Sequence, residues 1–254
     1  MTHSKLTASG AANVTVLRIE FLEGMAPRSL GGLVPGWDRE RSLVVDPLSR
    51  SFGARGLEMP LQAACVLREL SAMSTRVGAI MCYCSGIVLA REIARCLTTP
   101  SPIVALDPQV PSNRDVEDLF AGIVGGIGSD ANAYPYPLPT LTHASHAERL
   151  ELLDAALVRA ARHAAPDLPD DLVGQLVGRQ RSWLAYCVAA LQTAPPLGPE
   201  YSMLSRDSEW VPGPGHSLVR FDVSGEELFE MPEVRAEVAR ILTRELNPVE
   251  WRLP

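Results

Sequence analysis

A short turn between a predicted strand and a predicted helix constrains this chain more than any other feature. The turn is Cys82-Tyr83-Cys84-Ser85-Gly86; it follows the apolar run 77–81 and precedes a helical pattern over 87–95. Small residues at its two ends let the central side chain project from a strained backbone at the carboxyl edge of a sheet. The sequence therefore predicts a nucleophile elbow whose central residue is Cys84.

The position of Cys84 predicts acyl chemistry. At the amino end of a helix, free N–H groups and the helix dipole favour a thiolate, and the Ser85 N–H is placed to donate to an oxyanion. A cysteine that attacks a thioester forms another thioester of nearly equal energy, so it suits transfer or cyclisation at least as well as hydrolysis. The alternative is an inert cysteine buried on a core strand. Ser85 is one residue out of register for the nucleophile.

Composition limits the class of protein. The 254 residues are 46% hydrophobic, which is enough for one sizeable core, and the net charge of −7 argues against a nucleic-acid partner. No run of 18 apolar residues occurs, so no membrane span is expected. Residues 1–13 are polar and predict a disordered tail. Five cysteines in no disulfide or zinc spacing predict no metal site and a reduced, cytoplasmic setting.

Strand patterns alternate with helix patterns along most of the chain. Such alternation predicts an α/β fold with a mostly parallel sheet and helices on both faces. The predicted strands cover 13–22, 43–46, 77–81, 102–106, 201–205 and 218–223, and the predicted helices include 60–73, 87–95 and 232–246.

The middle of the chain breaks this alternation. A loop rich in proline and tyrosine covers 129–142, and two amphipathic helices follow at 145–163 and 169–192. The first of them begins with a capping box, Ser145 and Glu148. A helical insertion between strands is one way to build a lid over an active site, so a lid over about 129–195 is predicted. Two ordinary packing helices are the alternative.

The order of elements over 14–246 resembles the thioesterase family of α/β-hydrolases that serves nonribosomal peptide and polyketide assembly lines. The most specific match runs from Cys84 to Leu106-Asp107-Pro108-Gln109-Val110-Pro111, which is similar to the family's Leu-Asp-x-x-x-Pro motif. The resemblance implies one α/β-hydrolase domain over 14–254. It also implies that Asp107 orients a histidine, and that a second oxyanion donor comes from the loop near Gly24.

The histidine of such a site has two candidate positions. His216 follows Pro-Gly-Pro-Gly, similar to the family's Pro-Gly-x-His loop, but it precedes the last predicted strand. It is the predicted base if residues 209–211 form the true final strand. Otherwise Glu227, which lies after the last strand, occupies the histidine's place, and Glu227 or the substrate handles the proton. A pseudoenzyme is the third possibility.

The resemblance further implies a substrate class and a partner. An acyl or peptidyl carrier protein would present an acyl chain on its phosphopantetheine arm, with no other cofactor. Cys84 would accept the chain and release it by Dieckmann-type cyclisation to a tetramate or pyridone, or by acyl transfer. The alternatives are a type II editing thioesterase, an aminoacyl shuttle between carriers and a non-catalytic binding protein.

Overall fold

The computed structural model describes residues 13–22, 29–34, 42–49, 56–127, 141–192, 195 and 197–246. These residues contain six strands and six α-helices. The strands are β1 (Asn13–Ile19), β2 (Ser42–Val45), β3 (Thr75–Tyr83), β4 (Ile103–Leu106), β5 (Glu200–Leu204) and β6 (Ser217–Arg220). The helices are α1 (Met59–Ala72), α2 (Gly86–Cys96), α3 (Asn113–Ile127), α4 (His146–Ala164), α5 (Asp170–Ala190) and α6 (Pro232–Glu245).

The strands form one parallel sheet in the order β2-β1-β3-β4-β5-β6. Strands β4 and β5 are buried along their whole length, and the continuous apolar run of β4 is typical of a strand covered on both faces. The predicted parallel α/β architecture is confirmed. Because parallel strands end at the same edge, the residues that follow β3, β4, β5 and β6 meet at the carboxyl edge.

Most helix ends follow local signals in the sequence. The capping box that begins α4 is present, since the Glu148 N–H donates to Ser145 Oγ at 3.3 Å and Glu148 Oε2 accepts from the Ser145 N–H at 2.7 Å. Proline lies in the first turn of both α1 and α6, where its missing N–H costs no helical hydrogen bond. Among the helices of the described ranges, none combines the length and apolarity needed to cross a bilayer.

The helical insertion between β4 and β5 is larger than the predicted lid. It consists of α3, α4 and α5, whose buried side chains form an apolar cluster separate from that of the sheet. Helix α3 lies before the predicted lid segment, and most of the predicted loop, 128–140, lies outside the described residues. Trp183 on α5 packs against both apolar clusters and so joins the insertion to the sheet.

One alternative from the sequence analysis fails in a way that affects the site. Asn13, which the sequence assigned both to the tail and to the first strand, begins β1, while 1–12 lie outside the described residues. The last strand is β6, and residues 209–211 form no strand. The alternative strand at 209–211 is therefore wrong. That segment runs into Pro212 and Pro214, and proline cannot donate to a strand ladder.

Candidate active site

Cys84 lies between β3 and α2 with a φ of +49°. A non-glycine residue rarely adopts this left-handed conformation, which costs about 1–3 kcal/mol. The Cys84 N–H donates to the Leu106 carbonyl at 3.1 Å, so the turn is fastened to the end of β4. A Cβ on Gly86 would lie 3.3 Å from Ile19 Cγ2, so glycine allows α2 to start close against β1. The turn has the predicted elbow conformation, and its cysteine is half-buried.

Ser85 connects the elbow to the helical insertion. Its carbonyl accepts the hydroxyl hydrogen of Tyr186, a fully buried residue of α5, at 2.9 Å. The Ser85 N–H makes no hydrogen bond to any other residue that the structure describes, which leaves it able to donate to an oxyanion. Gly24, the predicted source of the second donor, lies outside the described residues.

Asp107 follows β4 at the same edge as Cys84. Its backbone is also left-handed, with a φ of +38°, and its N–H donates to the Met203 carbonyl at 2.9 Å. The carboxylate accepts the Ser205 N–H through Oδ1 at 2.7 Å. A Cβ on Gly225 would lie 3.0 Å from Asp107 Oδ2, so the loop after β6 passes directly against this carboxylate.

Gln109 contacts Cys84, a role that the sequence analysis did not assign. Cys84 Sγ donates to Gln109 Oε1 at 3.7 Å, and the Gln109 N–H donates to the Cys84 carbonyl at 3.2 Å. Its place in the sequence, two residues after Asp107 and just beyond a strand end, was the available signal. A polar residue in that position reaches the same sheet edge as the elbow.

The structure places His216 at the opposite edge of the sheet. Its side chain is 9% exposed, and its Nδ1 lies 3.5 Å from Oε1 of Glu200, the first residue of β5. Met203, which pairs with the last residue of β4, lies three residues further along that strand, roughly 10 Å away. His216 precedes a parallel strand and so begins at the amino edge. The structure therefore does not bring it to Cys84 and Asp107.

Glu227 lies after β6, in the loop where the family resemblance placed a histidine. It begins a 3-10 turn, Glu227–Phe229, and its exposed carboxylate accepts the amide and hydroxyl hydrogens of Ser224 at 2.9 and 2.8 Å. These bonds, from the amide first and then the hydroxyl, lower the pKa of Glu227. Glu227 thus caps its own turn, and Gly225 is the residue of this loop that meets Asp107.

A cavity of about 630 Å³ opens beside the elbow. It lies between the loop after β4 and the irregular segment after β5, and Gln109 connects its wall to Cys84 Sγ. The lining residues are Asp107, Pro108, Gln109, Val110, Asp115, Ser205, Asp207, Ser208, Glu209, Trp210 and Val211. The cavity is large enough to hold part of a small molecule near Cys84.

Aromatic side chains pack around the elbow and fix α5 over it. The Phe21 ring, just after β1, meets Tyr83 edge-on at 5.5 Å between centroids, and Trp183 and Tyr186 of α5 at 5.0 and 5.2 Å. Tyr83 in turn meets Phe229 at 5.5 Å. Residues from β1, the elbow, α5 and the loop after β6 thus form one rigid group.

Two further thiols lie near Cys84 and stay protonated. Burial raises the pKa of Cys187 to about 12, with Cys84 as a further cause, and burial raises the pKa of Cys82 as well. Their thiols are weak nucleophiles at neutral pH. Within the described ranges no cluster of three His, Cys, Asp or Glu side chains is arranged to hold a metal ion.

Comparison with known proteins identifies the architecture. No protein-family model and no curated sequence matches the chain. A four-domain nonribosomal peptide synthetase, solved bound to AMP and glycine, is 15% identical with a TM-score of 0.52. The match covers 94% of this chain and 20% of that one, so this chain spans about a fifth of the synthetase.

Two smaller solved proteins are also similar to the chain. The NocB thioesterase domain, solved in covalent complex with a fluorophosphonate nocardicin G analog, is 19% identical to this chain. The match covers 94% of this chain and 96% of NocB, with a TM-score of 0.47. RedJ, a thioesterase of the prodiginine pathway of Streptomyces coelicolor, is 15% identical, covering 93% and 92% with a TM-score of 0.45. At these identities the likeness concerns the fold alone. The parallel sheet, elbow and helical insertion form the predicted α/β-hydrolase fold.

Proposed function

We propose that the chain is an enzyme that processes acyl thioesters through a covalent acyl-Cys84 intermediate. The observation that carries the proposal is the elbow itself. A half-buried thiol is held at φ +49° at the start of α2, beside a cavity and next to a backbone N–H that can donate to an oxyanion. Strain of this kind persists where surrounding structure enforces it, and it concentrates at functional sites.

The first step is thioester exchange. The Cys84 thiolate attacks the carbonyl carbon of an acyl thioester, the Ser85 N–H donates to the oxyanion that forms, and the carrier thiolate leaves. One C–S bond forms and one C–S bond breaks, so the acyl group stays activated. In the second step a carbanion of the same chain, which closes a ring, or a second thiolate attacks the acyl carbonyl. The new C–C or C–S bond forms as the C–S bond to Cys84 breaks, the Cys84 thiolate leaves, and the acceptor's proton passes to the released carrier thiolate.

Release by cyclisation or transfer is favoured over hydrolysis by the position of His216. Activation of water by a histidine-based triad requires an imidazole beside the nucleophile. His216 instead faces Glu200 at the amino edge. A thiol or an acidic carbon ionises more readily than water does, so such an acceptor depends less on a resident base.

A carrier protein with a phosphopantetheine arm is the proposed partner. Support comes from the elbow and the Leu-Asp-x-x-x-Pro motif, which resemble those of assembly-line thioesterases, and from the fold shared with a nonribosomal peptide synthetase chain. On the same basis we place the enzyme in natural-product biosynthesis, with Dieckmann-type closure to a tetramate or pyridone as the proposed cyclisation.

The test is an intact-mass measurement with an acyl-pantetheine thioester that carries a β-ketoamide. We expect an acyl adduct that disappears in Cys84→Ala and persists in Cys96→Ala, a matched removal of an exposed thiol. A ring-closed product indicates cyclisation, and a new thioester with an added thiol indicates transfer. Free acid as the main product would overturn the release step and favour an editing thioesterase. An adduct unaffected by Cys84→Ala, or neither adduct nor product despite measured binding, would overturn the proposal.

A further inference from the structure

The loop that follows β4 carries two polar side chains, and they point to different partners. Gln109 reaches the elbow, where its Oε1 lies 3.7 Å from Cys84 Sγ. Asp107 reaches the next strand instead, where its carboxylate accepts the Ser205 N–H at 2.7 Å and lies against Gly225. In this structure the carboxamide contacts Cys84 Sγ directly, while the acid that the motif singles out bonds the end of the next strand.

Backbone hydrogen bonds fix the position of Gln109 relative to the sulfur. The Cys84 N–H donates to Leu106 at 3.1 Å, and the Gln109 N–H donates back to the Cys84 carbonyl at 3.2 Å. The elbow and the loop are thus fastened together on both sides of Asp107. A side chain at position 109 is held beside Sγ by the fold, and the same side chain forms part of the cavity wall.

We propose that Gln109 is a positioning residue for Cys84, which holds the sulfur toward the cavity during the catalytic cycle. This inference rests on the proposed acyl-Cys84 function and adds a residue to it. A carboxamide has one acceptor oxygen and two N–H donors. It accepts from the S–H group, and after rotation it donates to a thiolate. Gln109 can therefore contact the sulfur before and after the proton leaves, whereas a carboxylate can only accept.

The other titratable groups around Cys84 are the same in every variant. A shift in the alkylation midpoint of Cys84 therefore reports the charge introduced at position 109. Cys82, Cys187 and Tyr186 interact with Cys84, and burial raises the pKa of each, so all three are neutral near pH 7. The carboxylates that line the same cavity are present in every variant; they are Asp107, Asp115, Asp207 and Glu209. A new carboxylate at position 109 would lie at hydrogen-bond distance from Sγ.

The experiment measures the rate of iodoacetamide alkylation at Cys84 against pH, read by peptide mass spectrometry, in Gln109→Glu and Gln109→Met. The added negative charge should raise the midpoint of the Gln109→Glu profile by about one pH unit or more, which lowers the rate at pH 7 about tenfold. Gln109→Met preserves length but removes both hydrogen-bonding groups, and it should lower acyl-adduct formation. Gln175→Glu makes the same exchange on the exposed surface of α5 and should leave the midpoint unchanged.

The outcomes separate this inference from the proposed function. If unmodified Cys84 forms the acyl adduct but its alkylation midpoint is the same in Gln109→Glu as in Gln175→Glu, Gln109 does not position the sulfur. If the midpoint moves in Gln109→Glu but no adduct forms on unmodified Cys84, the contact is real and the acyl-enzyme function fails. Alkylation of Cys96, which is exposed, serves as the internal reference in every variant.

Discussion

Loss of the Arg91 side chain should destabilise the fold by a predictable amount. Arg91 on α2 donates to both carboxylate oxygens of Glu200 at 3.0 Å, and the two side chains are 9% and 0% exposed. The guanidinium also lies 5.2 Å from the centroid of the Trp210 ring. This pair anchors the elbow helix to the start of β5, so Arg91→Met leaves a carboxylate buried without its cation.

The expected loss is the cost of leaving one charge of a buried pair without its partner. Breaking a buried ion pair by removing one partner typically costs about 3–5 kcal/mol. His216 stays beside the carboxylate, since its Nδ1 lies 3.5 Å from Glu200 Oε1. The lower end of that range, about 3 kcal/mol, is therefore expected for Arg91→Met.

Urea unfolding followed by circular dichroism measures this loss. With a slope of about 3 kcal/mol per molar urea, the midpoint of Arg91→Met should fall by about 1 M at pH 7. The double variant Arg91→Met/Glu200→Met removes both charges and should recover most of the loss. Arg114→Met removes an exposed partner of Asp118 and should change stability by less than about 0.5 kcal/mol. A loss in Arg91→Met that is below 1 kcal/mol would refute the reasoning.

Two further predictions test the surroundings of the elbow. Tyr186→Phe removes the hydroxyl that donates to the Ser85 carbonyl at 2.9 Å. The free energy of unfolding in urea should fall by about 1–2 kcal/mol, and alkylation of Cys84 should be slower. Unchanged values would show that this bond does not hold the elbow. Burial raises the pKa of Cys187 to about 12. The stability that its protonated thiol contributes is fully present below the pKa of the unfolded chain and is lost as the pH rises toward 12. The free energy of unfolding should therefore fall less steeply in Cys187→Ala, by about 1.4 kcal/mol per pH unit between about pH 9.5 and 11. An unaltered slope would contradict the effect of burial on this thiol.

The fold was predictable because its strongest signals are local. Apolar runs such as 77–81 and 102–106 are long enough to indicate buried strands, and a capping box or a first-turn proline marks where a helix begins. The elbow was predictable for the same reason, since a strand, a turn of small residues and a helix follow one another without interruption. Helix α3 was left out of the predicted insertion, although Ser112 and Asp115, which exchange hydrogen bonds at its start, are a local signal of the same kind.

The site was only partly predictable because its contacts are long-range. Asp107 bonds the amide of Ser205, 98 residues away, and no local pattern indicates that partner. The family-like loop around His216 gave the wrong expectation about location, since the edge at which a residue lies depends on whether it precedes or follows its strand. Gln109 was quoted as part of a motif, but its contact with Cys84 depends on how two strand ends adjoin.

Backbone strain marks the carboxyl edge of the sheet, where the candidate site lies, without reference to any motif. Apart from glycine, the described residues with positive φ are Ser74, Cys84 and Asp107. Ser74 follows the end of α1, where a left-handed residue is ordinary. Cys84 and Asp107 follow adjacent strands and are fastened by backbone bonds to Leu106 and Met203. Each costs about 1–3 kcal/mol that a relaxed turn would avoid. Two such residues side by side, one with a thiol and one with a carboxylate, are better explained by chemistry than by folding.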